Sequence, residues 1–410
     1  GREDQARSYF IRAGEIALAS YANHEAEEYF RKALVLSPNK TLRADLLAGL
    51  GKALYKQGRA KEAEKIWKQA IEQYMDIGDR NKVGEIYARL SWLFWYHDDH
   101  TEARDLCQEG LRLLKGEPDS PGYVRLLAEA GRTALFSGFP DQALDRCEKA
   151  IEMADRLGIL EDKIEANITI ALGEKDVNDC IRILEEMADL AVENGLLRTA
   201  ARAHNNIGAT MDNQVTDLNS CRSHYITAAE IYGSIGDVES ILFTMRNIFE
   251  NYLELGELLA IEDEVAKLLK SAAVPENRIQ NFLFEHKPVQ LFYQGDWFAA
   301  LEIYRENLHD LSSTEHIERA SDKRWQIAYV LIELDRFGLI DDLSEAEELL
   351  TENIQDNLSL FSSNFGLVFV YIHQGKLKKA HDYYEKSLST VRNPNHKGFQ
   401  YYLRPWICLL

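Results

Sequence analysis

The chain has 410 residues, of which 46% are hydrophobic, and its 47 basic and 67 acidic side chains give a formal net charge of −20. This length exceeds what one hydrophobic core usually serves, so we expect several domains or one extended array. The acidic balance disfavours nucleic acid as a direct partner, because the chain repels phosphate backbones. It is compatible with a solvated surface or with a basic or peptidic partner.

The sequence contains no segment that predicts membrane insertion or secretion. It has no run of about 18 apolar residues. The opening residues, GREDQARSYF, are polar and lack the apolar core of a signal peptide. We therefore expect a cytoplasmic protein without a membrane partner. Because the chain does not start with Met, we interpret it as a fragment of a longer protein.

Small residues recur with a period of about 40 at the predicted start of every second helix. They are Ala26, Ala63, Ala103, Ala143, Cys180, Cys221, Ala300, Ala346 and Ala380, and the larger Ile261 continues the series in the seventh repeat. A turn glycine precedes several of them: Gly58, Gly138, Gly256, Gly295 and Gly375. The segment Leu127–Leu157 shows the complete pattern of a tetratricopeptide-type helix–turn–helix repeat, with small residues where two helices must approach closely.

The repeat pattern predicts an all-α fold, a right-handed superhelical solenoid of about ten TPR-like helix pairs. We expect it to form one domain over 1–410. The predicted repeats span approximately 7–40, 44–80, 84–120, 124–160, 161–200, 201–240, 242–277, 281–318, 322–358 and 361–395, with a capping helix at 397–410. Pro288 lies midway along the first helix of the eighth repeat, where we expect a kink or a broken turn.

The sequence offers no catalytic motif, and we expect neither enzymatic activity nor a cofactor nor a metal. Four of the five cysteines recur about 40 residues apart, which is typical of reduced packing residues: Cys107, Cys147, Cys180 and Cys221. Gly49–Lys52 lacks the strand and the spacing of a phosphate-binding loop. His97–His100 carries side chains that could bind a metal, but it falls at a turn of the repeat register, where a solvated turn is expected.

The candidate ligand-binding residues lie on the first helix of each repeat, which lines the inner, concave face of such solenoids. From the repeat register we expect these side chains to point into that face: Tyr55, Trp92, Trp95, Tyr96, Arg132, Phe136, Asn205, Asp212, Arg246, Glu250, Glu285, Phe292 and Tyr293. Trp92 and Trp95 share one helix face, so they either pack against neighbouring repeats or contact a ligand. Both alternatives stay open.

Charged residues of this set suggest the chemistry of the ligand. Arg132, next to the aromatic side chains, could pair with an acidic group. Further along the wall, Asp212, Glu250 and Glu285 favour a ligand or partner segment with positive charge.

The segment Tyr9–Leu36, with the pattern RAGxxAL…YANxEAxxYFxxAL, resembles the start of the tetratricopeptide array in bacterial signal-transduction ATPases with numerous domains (STAND). These include the maltose-regulon activator and ATPase–cyclase relatives. The resemblance implies a sensor that binds an inducer, whether small molecule, peptide or protein, and regulates an upstream ATPase module of the same chain. It implies no ligand residue.

Two other classes remain as alternatives. One is a peptide-binding regulator of the quorum type, which carries a separate N-terminal domain. The other is a protein–protein scaffold that grips a C-terminal carboxylate through a Lys/Asn/Arg clamp. Ile11 and Glu15 stand where that clamp would need Lys and Asn, which counts against it.

Overall fold

The structure, a computed structural model, describes residues 2–20, 22–37, 39–57, 59–96, 100–117, 119–212, 217–312, 317–356 and 360–390. Every regular element in these residues is an α-helix. The all-α fold predicted from the repeat pattern is confirmed. The helices divide into two compact units, one formed by Gly1–Leu255 with Asp263–Glu276 and the other by Gly256–Glu262 with Asn277–Leu410. We call them the N-terminal and the C-terminal unit.

The N-terminal unit consists of successive antiparallel helix pairs. Its helices are α1 (Arg2–Ala19), α2 (Asn23–Val35), α3 (Lys40–Lys56), α4 (Ala60–Ile77), α5 (Arg80–Tyr96), α6 (His100–Leu113), α7 (Pro121–Phe136), α8 (Pro140–Leu157), α9 (Leu160–Leu172), α10 (Val177–Glu193), α11 (Leu197–Asp212), α12 (Leu218–Ser234), α13 (Val238–Glu254) and most of α14 (Ile261–Ser271). From α1 to α13 each helix packs against the next. Several first helices of successive pairs also contact one another: α1 with α3, α5 with α7, α7 with α9, α9 with α11 and α11 with α13.

Local sequence signals set the helix ends. Asn39 caps α3 by accepting a hydrogen bond from the backbone N–H of Leu42 at 2.9 Å. Ser120 caps α7 in the same way, and Pro121 follows at the first helical position, where its missing N–H costs nothing. Gly138 adopts a φ of 81° in the turn between α7 and α8, a conformation that other residues rarely adopt.

The small residues at the predicted helix–helix contacts are buried, as the repeat register requires: Ala26, Ala63, Ala103, Ala143, Ala300 and Ala380. Glycine permits the closest approaches. A Cβ atom at Gly51 would lie 2.4 Å from the Trp67 ring, and one at Gly131 would lie 2.4 Å from the Cys147 sulfur. Cys107, Cys147, Cys180 and Cys221 are buried free thiols, which confirms their assignment as packing residues.

The helices of the N-terminal unit curve until the seventh pair reaches the second and third pairs. The first helix of each pair lies on the inside of the curve, and α13 contacts both α3 and α5. More than 180 residues of chain separate Lys56 from the start of α13 at Val238. The inner helices therefore enclose a space between them.

The C-terminal unit contains α15 (Glu276–Gln294), α16 (Trp297–Ser312), α17 (Ile317–Arg336), α18 (Ser344–Gln355), α19 (Leu360–His373) and α20 (Leu377–Thr390). A core that includes Ala300, Leu350 and Ala380 joins α16 to α20. Of the kink or broken turn expected at Pro288, the broken turn is wrong, since α15 is helical through this residue, and the kink stays a prediction. The capping helix expected at 397–410 and Cys408 lie outside the described residues.

Among the described residues, no helix combines the length and the apolar character that a bilayer crossing requires. The division into a single domain of ten repeats stays a prediction.

Candidate functional site

A cavity of about 450 Å³ lies on the inner face of the N-terminal unit. It is lined from the five first helices α3, α5, α7, α9 and α11 and from Asp237, the residue that caps α13. Tyr55 and Trp92 supply aromatic surface, and Leu197 at the start of α11 supplies aliphatic surface. The remaining wall is charged, with basic side chains (Lys52, Lys56, Arg89, Arg125, Arg198 and Arg202) and acidic ones (Glu129, Glu161, Asp162, Glu165 and Asp237).

The aromatic residues of the cavity are fixed by their neighbours. The ring of Tyr55, 8% exposed, lies 5.7 Å from that of Trp67, whose indole N–H donates to the Ala48 carbonyl at 3.2 Å. Three guanidinium groups surround Trp92: the Cζ atoms of Arg132, Arg202 and Arg198 lie 4.1, 5.1 and 5.2 Å from its ring centre. Such cation–π contacts each contribute about 0.5–2 kcal/mol and hold the indole in place.

Ion pairs between successive repeats cross the cavity wall. Arg125 on α7 donates from Nε to Asp162 Oδ1 on α9 at 2.9 Å and from Nη2 to Glu161 at 3.3 Å. Burial raises the pKa of Asp162, and the Arg125 guanidinium opposes that effect. Arg198 on α11 donates to Asp237 Oδ2 at 3.0 Å, and Asp237 also caps α13.

The remaining acidic residues of the wall, Glu129 and Glu165, form two more ion pairs with arginines. Arg132 is 3% exposed and donates two hydrogen bonds to Glu129, at 2.6 and 2.8 Å, while Ser91 donates a third at 2.7 Å. Arg202 pairs with Glu165. Every acidic side chain of the cavity wall therefore contacts an arginine.

Lys52 and Arg89, which we call the cationic pair, differ from the other basic residues of the wall. No hydrogen bond or ion pair joins either side chain to any residue that the structure describes. Burial and the neighbouring Arg89 lower the pKa of Lys52 to about 8. Burial and the neighbouring Arg125 lower the pKa of Arg89. Burial and basic neighbours dominate both shifts, while the carboxylates of Glu85 and Glu161 partly offset the lowering of the Arg89 pKa.

The structure places two of the residues predicted for ligand binding, Tyr55 and Trp92, in the cavity wall. Trp95 lies one turn further along α5, where its ring contacts Phe136 at 5.1 Å and His100 at 4.1 Å. Phe136 is 51% exposed, and the side chain of Tyr96 lies outside the described residues. The ring contacts of Trp95 are intramolecular packing, and its role in binding stays a prediction.

The other residues predicted on the inner wall of this unit lie outside the cavity lining. Asn205 is buried and accepts a hydrogen bond from the Asn247 amide at 3.1 Å. Burial raises the pKa of Asp212, near the end of α11. The guanidinium of Arg246 lies 5.7 Å from the Phe243 ring centre, and Glu250 is exposed.

Glu285, Phe292 and Tyr293 belong to the C-terminal unit, on α15. Glu285 is exposed, and Tyr293 is 57% exposed. The ring of Phe292 packs against that of Tyr329, with centroids 5.4 Å apart. A ligand site that includes these residues stays a prediction.

Sequence reasoning missed the basic residues of the wall, although a signal for them exists. Lys52 and Lys56 are spaced i,i+4 on one first helix, and Arg198 and Arg202 repeat this spacing on another. Residues with this spacing share a helix face. The net charge of −20 hides this cationic patch, because the whole-chain total says nothing about how charge is distributed.

The segment His97–His100, which carries side chains that could bind a metal, is described only at His100. His97–Asp99 lie outside the described residues, and His100 stacks against Trp95. Within the described part of the chain, no three acidic, histidine or cysteine side chains gather as a metal ion would require.

The stacked helix pairs and their small-residue contacts define a tetratricopeptide-type fold, a fold of protein interaction. The family model "Tetratricopeptide repeat" matches residues 41–116, and the model "Soluble NSF attachment protein, SNAP" matches residues 132–243. No curated protein sequence matches the chain.

The chain is similar to several solved structures at low sequence identity. A Rap protein complexed with Competence and Sporulation Factor is 11% identical, with a TM-score of 0.51 over 94% of this chain and 97% of that one. The Rap conjugation gene regulator of plasmid pLS20, in complex with the Phr* peptide, is 11% identical, with a TM-score of 0.49 over 93% and 96%. The apo quorum sensor NprR from B. thuringiensis is 14% identical, with a TM-score of 0.48 over 86% and 97%.

Proposed function

We propose that the chain is a non-catalytic regulatory module that binds a peptide-sized ligand in the cavity of the N-terminal unit and transmits its occupancy to a partner. One observation carries this proposal. Five inner helices and the residue that caps α13 direct aromatic and charged side chains into a single cavity. Apolar surface with a few convergent polar groups is the usual composition of a ligand site.

The size and chemistry of the cavity suit a short peptide. Its volume of about 450 Å³ falls within the range of about 300–1,000 Å³ that ligand pockets occupy. A peptide carries backbone donors and acceptors along its whole length, and the wall offers both charge signs beside Trp92 and Tyr55. The fold shared with the Rap protein that was solved with Competence and Sporulation Factor supports a regulatory binding role.

The position of the cavity suggests how binding is transmitted. Its wall includes α3 of the second repeat and the cap of α13 in the seventh, and these two helices contact each other. A ligand that binds better to one curvature of the helices shifts the population towards that curvature. A partner that contacts the outer surface would then experience a changed shape.

Two regulatory systems remain as candidates for this module. The pattern in Tyr9–Leu36 supports the sensor region of a STAND-type ATPase, and the shared Rap fold supports a regulator of the quorum type. The reading frame upstream of Gly1 distinguishes them. An ATPase module there would support the sensor, whereas a small helical or DNA-binding domain would support the quorum-type regulator. A passive scaffold would lose no partner when the cavity is blocked.

Blocking the cavity tests the proposed function. Leu197→Trp places a bulky ring at a partly exposed position of the wall (38%), and Leu157→Trp makes the same change at a position of equal exposure (39%) outside the wall. The wild-type protein and both variants are incubated with a pooled library of short peptides, and retained peptides are identified by mass spectrometry. We expect retention by the wild type and Leu157→Trp and its loss in Leu197→Trp.

Circular dichroism of the same samples confirms that the variants are folded. Equal retention by a folded Leu197→Trp variant, or no retention by the wild type, would contradict the proposal.

A further inference from the structure

The acidic groups of the cavity wall are already used by the protein itself. Arg125 holds Glu161 and Asp162, Arg198 holds Asp237, and Arg202 holds Glu165. Glu129 receives three hydrogen bonds, two of them from Arg132. Each acidic residue of the wall is thus bound to an arginine other than Arg89, and Glu161 acts on Arg89 only through a longer-range attraction that raises its pKa.

Lys52 and Arg89 are basic residues of the wall that receive no ion pair from these acidic groups. They lie on the neighbouring inner helices α3 and α5, both line the cavity, and no described residue forms an ion pair with either. All the charged groups that act most strongly on Lys52 are basic: Arg89, Lys56, Arg198 and Arg125. These neighbours come from four helices, so the positive potential belongs to the cavity and not to one element.

From this arrangement we infer that the cationic pair, Lys52 and Arg89, binds an anionic group of the ligand, a carboxylate or a phosphate. The inference rests on the proposed function in that it concerns the ligand of the same cavity. An ammonium and a guanidinium on adjacent helices supply hydrogen-bond donors to one anion, and such charge-assisted bonds are short and strong. The anion supplies the negative charge that the wall lacks.

The surroundings favour selectivity for one anionic group. The wall has six basic and five acidic side chains, so the cavity carries an excess of positive charge that attracts an anion. Beside the cationic pair, Trp92 and Tyr55 offer rings to the uncharged remainder of the ligand. The acidic residues expected to attract positive charge, Asp212 and Glu250, lie outside this lining.

The protonation of the Lys52 amine provides a second experimental signature of anion binding. Lys52 has a pKa of about 8 in the free protein because of burial and its cationic neighbours. A bound anion stabilises the protonated amine and raises that pKa. The affinity for a carboxylate, which stays ionised above about pH 6, should therefore be constant from about pH 6 to 8 and fall as the pH rises further. Because an arginine stays protonated over this range, Lys52→Arg should bind the anion without the decrease.

Defined probes test the inference. Inorganic phosphate represents one source of the anion. N-acetyl-trialanine, with a free carboxylate, represents the other and is compared with its C-terminal amide. Binding is measured by calorimetry on the wild type, Lys52→Met and Arg89→Met. Lys175→Met serves as the control, since Lys175 is exposed and outside the cavity.

We expect at least one anion to bind the wild type and Lys175→Met equally. We expect its Kd to rise about tenfold or more in Lys52→Met and Arg89→Met, which corresponds to the loss of one charged hydrogen bond. Lys52→Arg should restore affinity. Binding of phosphate alone would assign the site to a phosphate, and binding of the free acid but not its amide would assign it to a carboxylate.

No anion binding by the wild type, or equal Kd values in folded Lys52→Met and Arg89→Met, would overturn the inference. This failure differs from failure of the proposed function. If Leu197→Trp still abolishes peptide retention while Lys52→Met leaves it unchanged, the cavity binds its ligand without an anion site.

Discussion

Lys52 and Arg132 are basic residues at the same repeat position, yet their surroundings differ. Each stands at the same distance before the small residue of its repeat, Ala63 for Lys52 and Ala143 for Arg132. Arg132 donates to Glu129, one turn earlier on α7, and its guanidinium stacks on Trp92. One turn before Lys52 stands Gly49, which has no side chain to pair with. The repeat thus uses one position for stability in α7 and leaves it available to a ligand in α3.

The largest expected effect concerns the buried pair of α7. Glu129→Leu removes the partner of a guanidinium that is 3% exposed, so Arg132 would be left as an uncompensated buried charge. We expect the free energy of unfolding to fall by about 3–5 kcal/mol. Urea denaturation measures it.

An exposed pair of the same length provides the control. Arg156 and Asp119 lie 2.6 Å apart on the surface, so Asp119→Leu should cost less than about 1 kcal/mol. If Glu129→Leu and Asp119→Leu lower the free energy of unfolding equally, burial does not make the α7 pair more costly to break than an exposed pair.

In α3 we expect removal of the basic side chain to increase the free energy of unfolding. Lys52→Met removes a charge that has no described partner and keeps the aliphatic stem, so it should stabilise the protein by about 1–2 kcal/mol at pH 7. Thermal melting measures the change, and Lys175→Met, at an exposed position, should leave the melting temperature unaltered. A loss of stability in Lys52→Met would mean that Lys52 is compensated within the protein, and the contrast with Arg132 would vanish.

The smallest expected effect is the pH dependence of that gain. The pKa of Lys52 is about 8 in the folded protein, below its ordinary value of 10.5, so between these values the unfolded chain binds more protons than the folded one. The cost of charging Lys52 is present in full below pH 8 and disappears as the pH approaches 10.5. The difference in melting temperature between Lys52→Met and the wild type should therefore shrink from pH 7 to pH 10. A constant difference would contradict the lowered pKa.

Sequence reasoning located the helix contacts because they depend on single positions in a regular repeat. Ala26, Ala63 and Ala103 are small for a local reason, the close approach of two helices, and this is visible one repeat at a time. The pairs Arg125–Asp162 and Arg198–Asp237 also connect successive repeats, and their spacing of about one period could have been recognised.

The cavity itself depends on how the helix pairs accumulate curvature. Small rotations between successive pairs add up over six repeats, and they bring the cap of α13 near Lys56. No local pattern in the sequence encodes that sum. For this reason the inward direction of Trp92 and Tyr55 could be predicted, while the set of charges gathered around them could not.

The contact between α3 and α13 also changes how the N-terminal unit unfolds. In a linear array each repeat touches only its neighbours, so the ends fray independently and stability is a sum of nearest-neighbour terms. Here the second repeat touches the seventh, and opening either one removes contacts from both. The repeats between them are thus tied into a closed loop, whose amide protons should exchange with solvent as one cooperative block and not as a gradient from the ends.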